Sequence, residues 1–259
     1  MSRKFNRLFY IILFLWNFIN PASYPIAQAD VIQAAVATNF LNPFKSVVKQ
    51  FQKKTGHKVI IISGSTGKLY AQIVNGAPFD IFLAGDSLRP QLLIQEGWAV
   101  SGSQYSYAFG KITLWSPNTN MILESVESTL LKKNFSHIAI ANPTTAPYGK
   151  AALQTLEKLG QWDQLKPLVV QGANIGQTFQ FVFSKNAELG FVALSQVLDP
   201  KNNQKGKRVY IPSEYYDPIK QDIVILTRGE NNSGTMNLWR FLKDDQAKQI
   251  IKKYGYGLP

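Results

Sequence analysis

The chain has no cysteine and only two histidines, His57 and His137. Disulfides, thiol nucleophiles and cysteine-ligated metals are thereby excluded. A lipid anchor attached to a cysteine at a leader cleavage site is ruled out on the same ground. A zinc site would have to lean on carboxylates, because no His pair stands at ligand spacing. No Gly-x-Ser-x-Gly elbow occurs, and Asp80 and Asp86 flank an apolar run without an evident partner for acid–base work. His57, in Thr55-Gly56-His57-Lys58, reads as part of a surface turn, and His137 as the start of a strand. A secreted α/β hydrolase, the remote alternative, finds no nucleophile–base pair here.

Membrane-length apolar runs are missing as well. The N-terminus instead carries Arg3, Lys4 and Arg7, an apolar stretch from Leu8 to Phe18, and a small-x-small site, Ala27-Gln28-Ala29. That is the pattern of a cleavable signal peptide spanning residues 1–29, and the stretch is too short and too soon broken by Asn17, Asn20 and Pro21 for a span. The expectation is export to the periplasm with cleavage after Ala29. The formal charge of +12 falls to +9 without the three basic leader residues. Lys and Arg are scattered in short pairs such as Lys53-Lys54 and Lys252-Lys253, with no basic stripe and no interleaved stacking aromatics. The sequence therefore gives no sign of a nucleic-acid surface, and the lack of a DNA-reading helix-turn-helix argues against a transcription-regulator effector domain.

Strand-like and helix-like stretches alternate through the rest, which predicts an α/β fold. Strands are expected at Val31–Val36, Lys58–Ile62, Asp80–Ala84, Lys111–Trp115, His137–Ala141, Leu168–Val170, Gly190–Leu194 and Asp222–Leu226. Helical spacing is clear at Phe44, Val47, Val48 and Phe51. Further helices are expected over Leu92–Trp98, over Lys150–Leu159 after a Pro147-Tyr148-Gly149 turn, over Thr178–Phe183, and over Thr235–Leu242 and Gln246–Lys253. The β-branched run Lys58–Ile62 reads as a buried parallel strand. Tyr105, Tyr107, Trp115 and Tyr148 read as packing aromatics.

Ser63-Gly64-Ser65-Thr66-Gly67 lies between the Lys58–Ile62 strand and a helical pattern through Leu69, Ile73 and Val74. A small, hydroxyl-rich turn into a helix N-terminus offers unpaired N–H groups, hydroxyl donors and the positive end of a helix dipole, which suits an anion. A plain N-cap is the ordinary alternative. A Walker loop is excluded, since Ile62 stands where its first glycine belongs and Leu69 where its Ser or Thr belongs. Similar small or polar turns follow other strands: Ala37-Thr38-Asn39, Asn142 to Gly149, and Gly172-Ala173-Asn174-Ile175-Gly176. Ligands of open α/β sheets bind outside the carboxyl ends of strands, so these turns can converge.

Several longer stretches carry a specific likeness. Thr38-Asn39-Phe40, Gly64 to Ile73 and Asn75 to Ala84 resemble the periplasmic molybdate-binding proteins of ABC transporters. So do Ala141-Asn142-Pro143 with Ala146 to Gly149, Ala187 to Gln196, and Lys253-Tyr254-Gly255-Tyr256-Gly257. The resemblance runs in order over essentially the whole chain after the leader. It implies a two-lobed α/β fold of the type II periplasmic-binding-protein class, with the ligand in the interlobe cleft. Lobe one would be residues 30–110 plus 218–259, and lobe two residues 111–217.

By motif the resemblance implies molybdate donors at Asn39 with Thr38, Thr66 with Ser65, Tyr148 and Ile175, the last two mainly through backbone N–H groups. Molybdenum would enter only as the oxyanion, molybdate or tungstate, without direct protein ligands and without a cofactor. The implied protein is a non-enzymatic monomer that is not membrane-embedded and that hands its ligand to an inner-membrane ABC permease. Another tetrahedral oxyanion, sulfate or thiosulfate, is the alternative ligand. Two positions depart from many family members: Ala193 stands where a ligand-donating Tyr is common, and Thr38-Asn39 replaces Ala-Ser.

Overall fold

The computed structural model describes residues 29–202 and 205–259. The leader up to residue 28 therefore lies outside the described residues. In chain order the elements are β1 (Val31–Ala37), a 3-10 turn (Thr38–Phe40), α1 (Leu41–Thr55), β2 (Lys58–Gly64), α2 (Thr66–Val74), β3 (Ile81–Leu83), α3 (Leu88–Gln95) and β4 (Tyr105–Gly110). They continue with β5 (Ile112–Ser116), α4 (Val126–Lys132), β6 (Ile138–Ala141), α5 (Pro147–Lys158), α6 (Trp162–Leu165), β7 (Val169–Gly172), α7 (Ile175–Phe183), β8 (Leu189–Ala193) and α8 (Leu194–Val197). The chain closes with β9 (Lys207–Tyr210), β10 (Ile219–Ile225), α9 (Ser233–Phe241) and α10 (Asp245–Lys253).

Two five-stranded sheets form, in the orders β2-β1-β3-β10-β4 and β7-β6-β8-β5-β9. The chain passes from the first sheet to the second between β4 and β5, with only Lys111 between them, and returns between β9 and β10. The fold is thus α/β and two-lobed, as the resemblance implies. In the first sheet β1 pairs in parallel with β2 on one side and β3 on the other, with Ala37 opposite Gly64 and Val36 opposite Leu83. That register ends three strands at one edge, so Thr38, Ser65 and Gly85 emerge side by side. Such a divergence point is where open α/β sheets bind ligands. The second sheet repeats the device: β6 lies between β7 and β8, with Ala141 opposite Gly172.

Each lobe closes on its own apolar core. Phe44, Val47, Val48 and Phe51 of α1 pack with Ile32, Val36, Ile223 and Ile251, as their helical spacing requires. In the second lobe, Ile138, Ile140, Ala152, Leu156 and Phe191 form the core beneath α5. Helix α5 sits close on its sheet because residue 149 is glycine: a Cβ there would lie 2.3 Å from the Ala141 carbonyl oxygen.

Several local expectations are corrected. Strand β2 is the terminal strand of its sheet and pairs only with β1, so Ile60 is half exposed rather than buried. Pro147-Tyr148-Gly149 is not a turn before a helix but the first turn of α5, where proline's missing N–H costs nothing. His57 is not on a surface turn. It is buried against Phe51, accepts the Asp30 N–H at Nδ1, and faces Asn237 through Nε2. Asp80 is a structural anchor: its carboxylate accepts from Gln33 N–H (2.7 Å) and pairs with Arg228 (2.5 Å).

Candidate functional site

A small cavity lies between the lobes, lined by Ala37, Thr38, Asn39, Gly64, Ser65 and Thr66 from one side and Ala146, Pro147, Tyr148, Asn174 and Ile175 from the other. All six residues singled out from the sequence line it. None of the lining residues carries a charge. Three helix N-termini, those of α2, α5 and α7, meet there, together with the 3-10 turn that starts at Thr38. Their partial positive charges add at one point, which is a field suited to an anion.

The donors differ in how free they are. Ser65 is the residue before α2 yet makes no side-chain cap bond, and its buried hydroxyl has no hydrogen-bond partner. Thr66 Oγ1 accepts the Gly85 N–H (3.0 Å), which fixes the hydroxyl and leaves its own proton to be given elsewhere. In α5, Pro147 has no N–H, and the amides of Gly149 and Lys150 both turn back to the Ala146 carbonyl. The Tyr148 amide is left as the terminal donor of that helix. In α7, Asn174 caps the Gln177 amide with its side chain (3.0 Å), so the amides of Ile175 and Gly176 head the helix.

Thr38 and Asn39 are engaged differently from a simple donor reading. Thr38 Oγ1 donates to the Gly64 carbonyl (2.9 Å). The Asn39 carboxamide nitrogen donates to Gln221 Oε1 (2.8 Å) and to Tyr256 Oη (3.1 Å). Both side chains hold the turn in place, so what they leave for a ligand is the main-chain amide of Asn39 in the first turn. Ala193 does not line the cavity; its amide bonds the Gln196 side chain (3.0 Å).

Behind the cavity lies a buried polar network that the sequence reading missed. Gln221, fully buried on β10, accepts from Asn39 and from Tyr107 Oη (2.9 Å) and donates to Tyr148 Oη (3.1 Å). Tyr256 Oη and Ser195 Oγ both donate to the Asn39 carbonyl, at 2.8 and 3.0 Å. A glutamine in Ile219-Lys220-Gln221-Asp222, ahead of the apolar run Ile223-Val224-Ile225, was the available signal. Burial pushes the Tyr107 and Tyr148 phenols far above their ordinary range and that of Tyr256 up to about 12, so all three stay neutral donors.

The lobes also touch at the cleft rims. Gly67 N–H donates to the Thr145 carbonyl (2.9 Å), Arg89 donates to the Thr144 carbonyl (3.2 Å) while pairing with Asp86, and Asn42 donates to Asp199 (2.5 Å). The lobes are therefore shut around the cavity. Among the described residues no group of three or more His, Asp or Glu is placed to hold a metal ion.

Comparison with known proteins places the chain in a family. Residues 32–257 match the model of a family described as bacterial extracellular solute-binding protein. The chain is 50% identical over 233 residues to the molybdate-binding protein ModA of Azotobacter vinelandii, covering 90% of this chain and 92% of the relative. It is 42% identical over 232 residues to that of Rhodobacter capsulatus, covering 90% of each. Its structure superposes on the A. vinelandii periplasmic molybdate-binding protein with a TM-score of 0.84 at 39% identity, covering 88% of this chain and 99% of that one. The chain thus belongs to the bacterial extracellular solute-binding proteins, in the group of the molybdate-binding proteins, and is a binding protein rather than an enzyme.

Proposed function

We propose that the protein is a periplasmic receptor that captures molybdate, and tungstate with it, for import by an ABC transporter. The observation that carries this reading is the unpartnered Ser65 hydroxyl in an interlobe cavity lined only by neutral groups. A buried polar atom without a partner is costly, and a ligand oxygen supplies the partner. The donors are the Ser65 and Thr66 hydroxyls and the main-chain amides of Asn39, Tyr148 and Ile175, with Thr38 holding the turn. The first three belong to lobe one (residues 30–110 plus 218–259) and the last two to lobe two (residues 111–217). Only the closed state offers them all, so the ligand favours closure by its differential contacts.

A dianion held without a countercharge must have its oxygens satisfied by hydrogen bonds, and helix termini with hydroxyls supply them without reorganisation. A donor cage of fixed size favours molybdate or tungstate over the smaller sulfate, which leaves donors unpaired. No carboxylate lines the cavity, so the proton of hydrogen phosphate finds no charged acceptor there. The molybdenum reaches the protein only through its oxygens, and no cofactor takes part. Residues 1–29 direct export and are cleaved after Ala29, and the monomer docks an inner-membrane permease.

Co-crystallisation with sodium molybdate tests this. The expected result is a molybdenum anomalous peak within the cavity, between Ser65 and Tyr148. A peak elsewhere, or none at saturating molybdate, contradicts the reading.

A further inference from the structure

Tyr148 faces two ways. Its amide heads α5 at the cavity, while its side chain, buried in the second lobe's core, reaches out of that lobe. The phenol oxygen accepts a hydrogen bond from Gln221 Nε2, on a strand of the first sheet (3.1 Å). The other end of the Gln221 amide accepts from Asn39, which lines the cavity from the first lobe. One buried carboxamide therefore ties together a cavity residue from each lobe. A second link crosses beside it, where Ser195 of the second lobe donates to the Asn39 carbonyl.

Space for the junction is provided at the crossover. A Cβ on Gly110, the last residue of β4, would lie 2.2 Å from Tyr148 Oη and 2.6 Å from Gln221 Nε2. The two groups meet only because that position has no side chain. An ordinary buried tyrosine would satisfy its hydroxyl within its own core. This one satisfies it across the crossover, on a residue of the other lobe's sheet.

We infer that Gln221 is a positioning residue that couples lobe closure to ligand affinity, acting through the Tyr148 hydroxyl. The inference rests on the receptor reading above. In the open state Gln221 and Tyr148 are hydrated and the bond costs nothing to lose. In the closed state water is expelled, and an absent partner leaves a buried N–H unsatisfied. Removing the hydroxyl thus penalises the closed, liganded form alone.

Tyr148→Phe tests this, because it keeps the amide at the cavity and the ring in the core. Molybdate binding and stopped-flow dissociation are measured on wild type and variant, with thermal melts of both in the absence of ligand. The expected result is a loss of affinity of roughly five- to a hundredfold, expressed as faster dissociation, with an unchanged ligand-free melting temperature. Gln221→Met also strips the acceptor from Asn39 and Tyr107, but it is expected to add less on the Tyr148→Phe background than on wild type, because the bond the two residues share is already gone. An affinity within about twofold of wild type, or a ligand-free melting temperature that falls as far as the liganded one, overturns the inference and leaves the receptor reading standing. Failure of the wild type itself to bind molybdate, tungstate or sulfate overturns both.

Discussion

Replacing Ser65 by alanine separates ligand binding from folding more cleanly than any other change at the cavity. Serine before a helix usually contributes about 0.5–2 kcal/mol through a cap bond. Ser65 makes no such bond, so that contribution is not at stake. Its hydroxyl is buried without a partner, and deleting it removes a desolvated polar atom rather than a contact. Ligand-free stability is therefore expected to stay level or rise slightly. Binding is expected to move the other way, because a hydrogen bond to a charged group is worth about 1.5–3 kcal/mol. That corresponds to a Kd raised by about ten- to 150-fold. Calorimetric titration with molybdate gives the first quantity and a thermal melt the second. A Kd within about threefold of wild type would refute the reasoning, as would a ligand-free melting temperature lowered by the about 2–4 °C that each lost kcal/mol costs a chain of this size.

Other changes act on different parts of the structure. Thr66→Ala removes both an anion donor and the acceptor of the buried Gly85 N–H, so affinity and ligand-free stability fall together, each by about 1–3 kcal/mol; a loss confined to one of the two measurements contradicts that double role. Asp80→Ala strips the acceptor from Gln33 N–H and the partner from Arg228, and is expected to lower the melting temperature while leaving molybdate affinity within about twofold. The buried phenols bear on alkaline stability. Because the Tyr256 pKa is raised to about 12 in the folded chain, the stability it contributes is intact below pH 10 and is lost as the pH rises from there toward 12; Tyr107 and Tyr148 act in the same direction. Unfolding monitored by circular dichroism should steepen above pH 10, and a tyrosine absorbance titration in which every phenol ionises near pH 10 in the folded protein speaks against it.

The α/β alternation and the turns at strand ends were legible because they rest on local chemistry: β-branched runs, small hydroxyl residues and helical spacing. The Thr38-Asn39, Ser65-Thr66, Tyr148 and Ile175 turns converge because parallel register ends β1 and β2, and β6 and β7, at matching residues. Register is a long-range property, and no short segment carries it. The edge position of β2 was hidden for the same reason, since a β-branched run reads alike in the middle and at the rim of a sheet. Strand β4 escaped because Tyr105-Ser106-Tyr107-Ala108-Phe109 mixes apolar with hydrogen-bonding side chains, and Tyr107 indeed spends its hydroxyl on the Ala84 carbonyl and Gln221. The side-chain roles of Thr38 and Asn39 were read from motif alone. Their hydroxyl and amide are held by Gly64, Gln221 and Tyr256, the last two far away in sequence.

The central claim is a cage of neutral donors, closed by both lobes, that takes molybdate and tungstate and rejects smaller tetrahedral oxyanions by size. Calorimetric titration of residues 30–259 with molybdate, repeated with sulfate, measures that claim. Tight one-to-one uptake of molybdate with little or no heat from sulfate is expected. Sulfate bound as tightly as molybdate, or no uptake of molybdate, would contradict it.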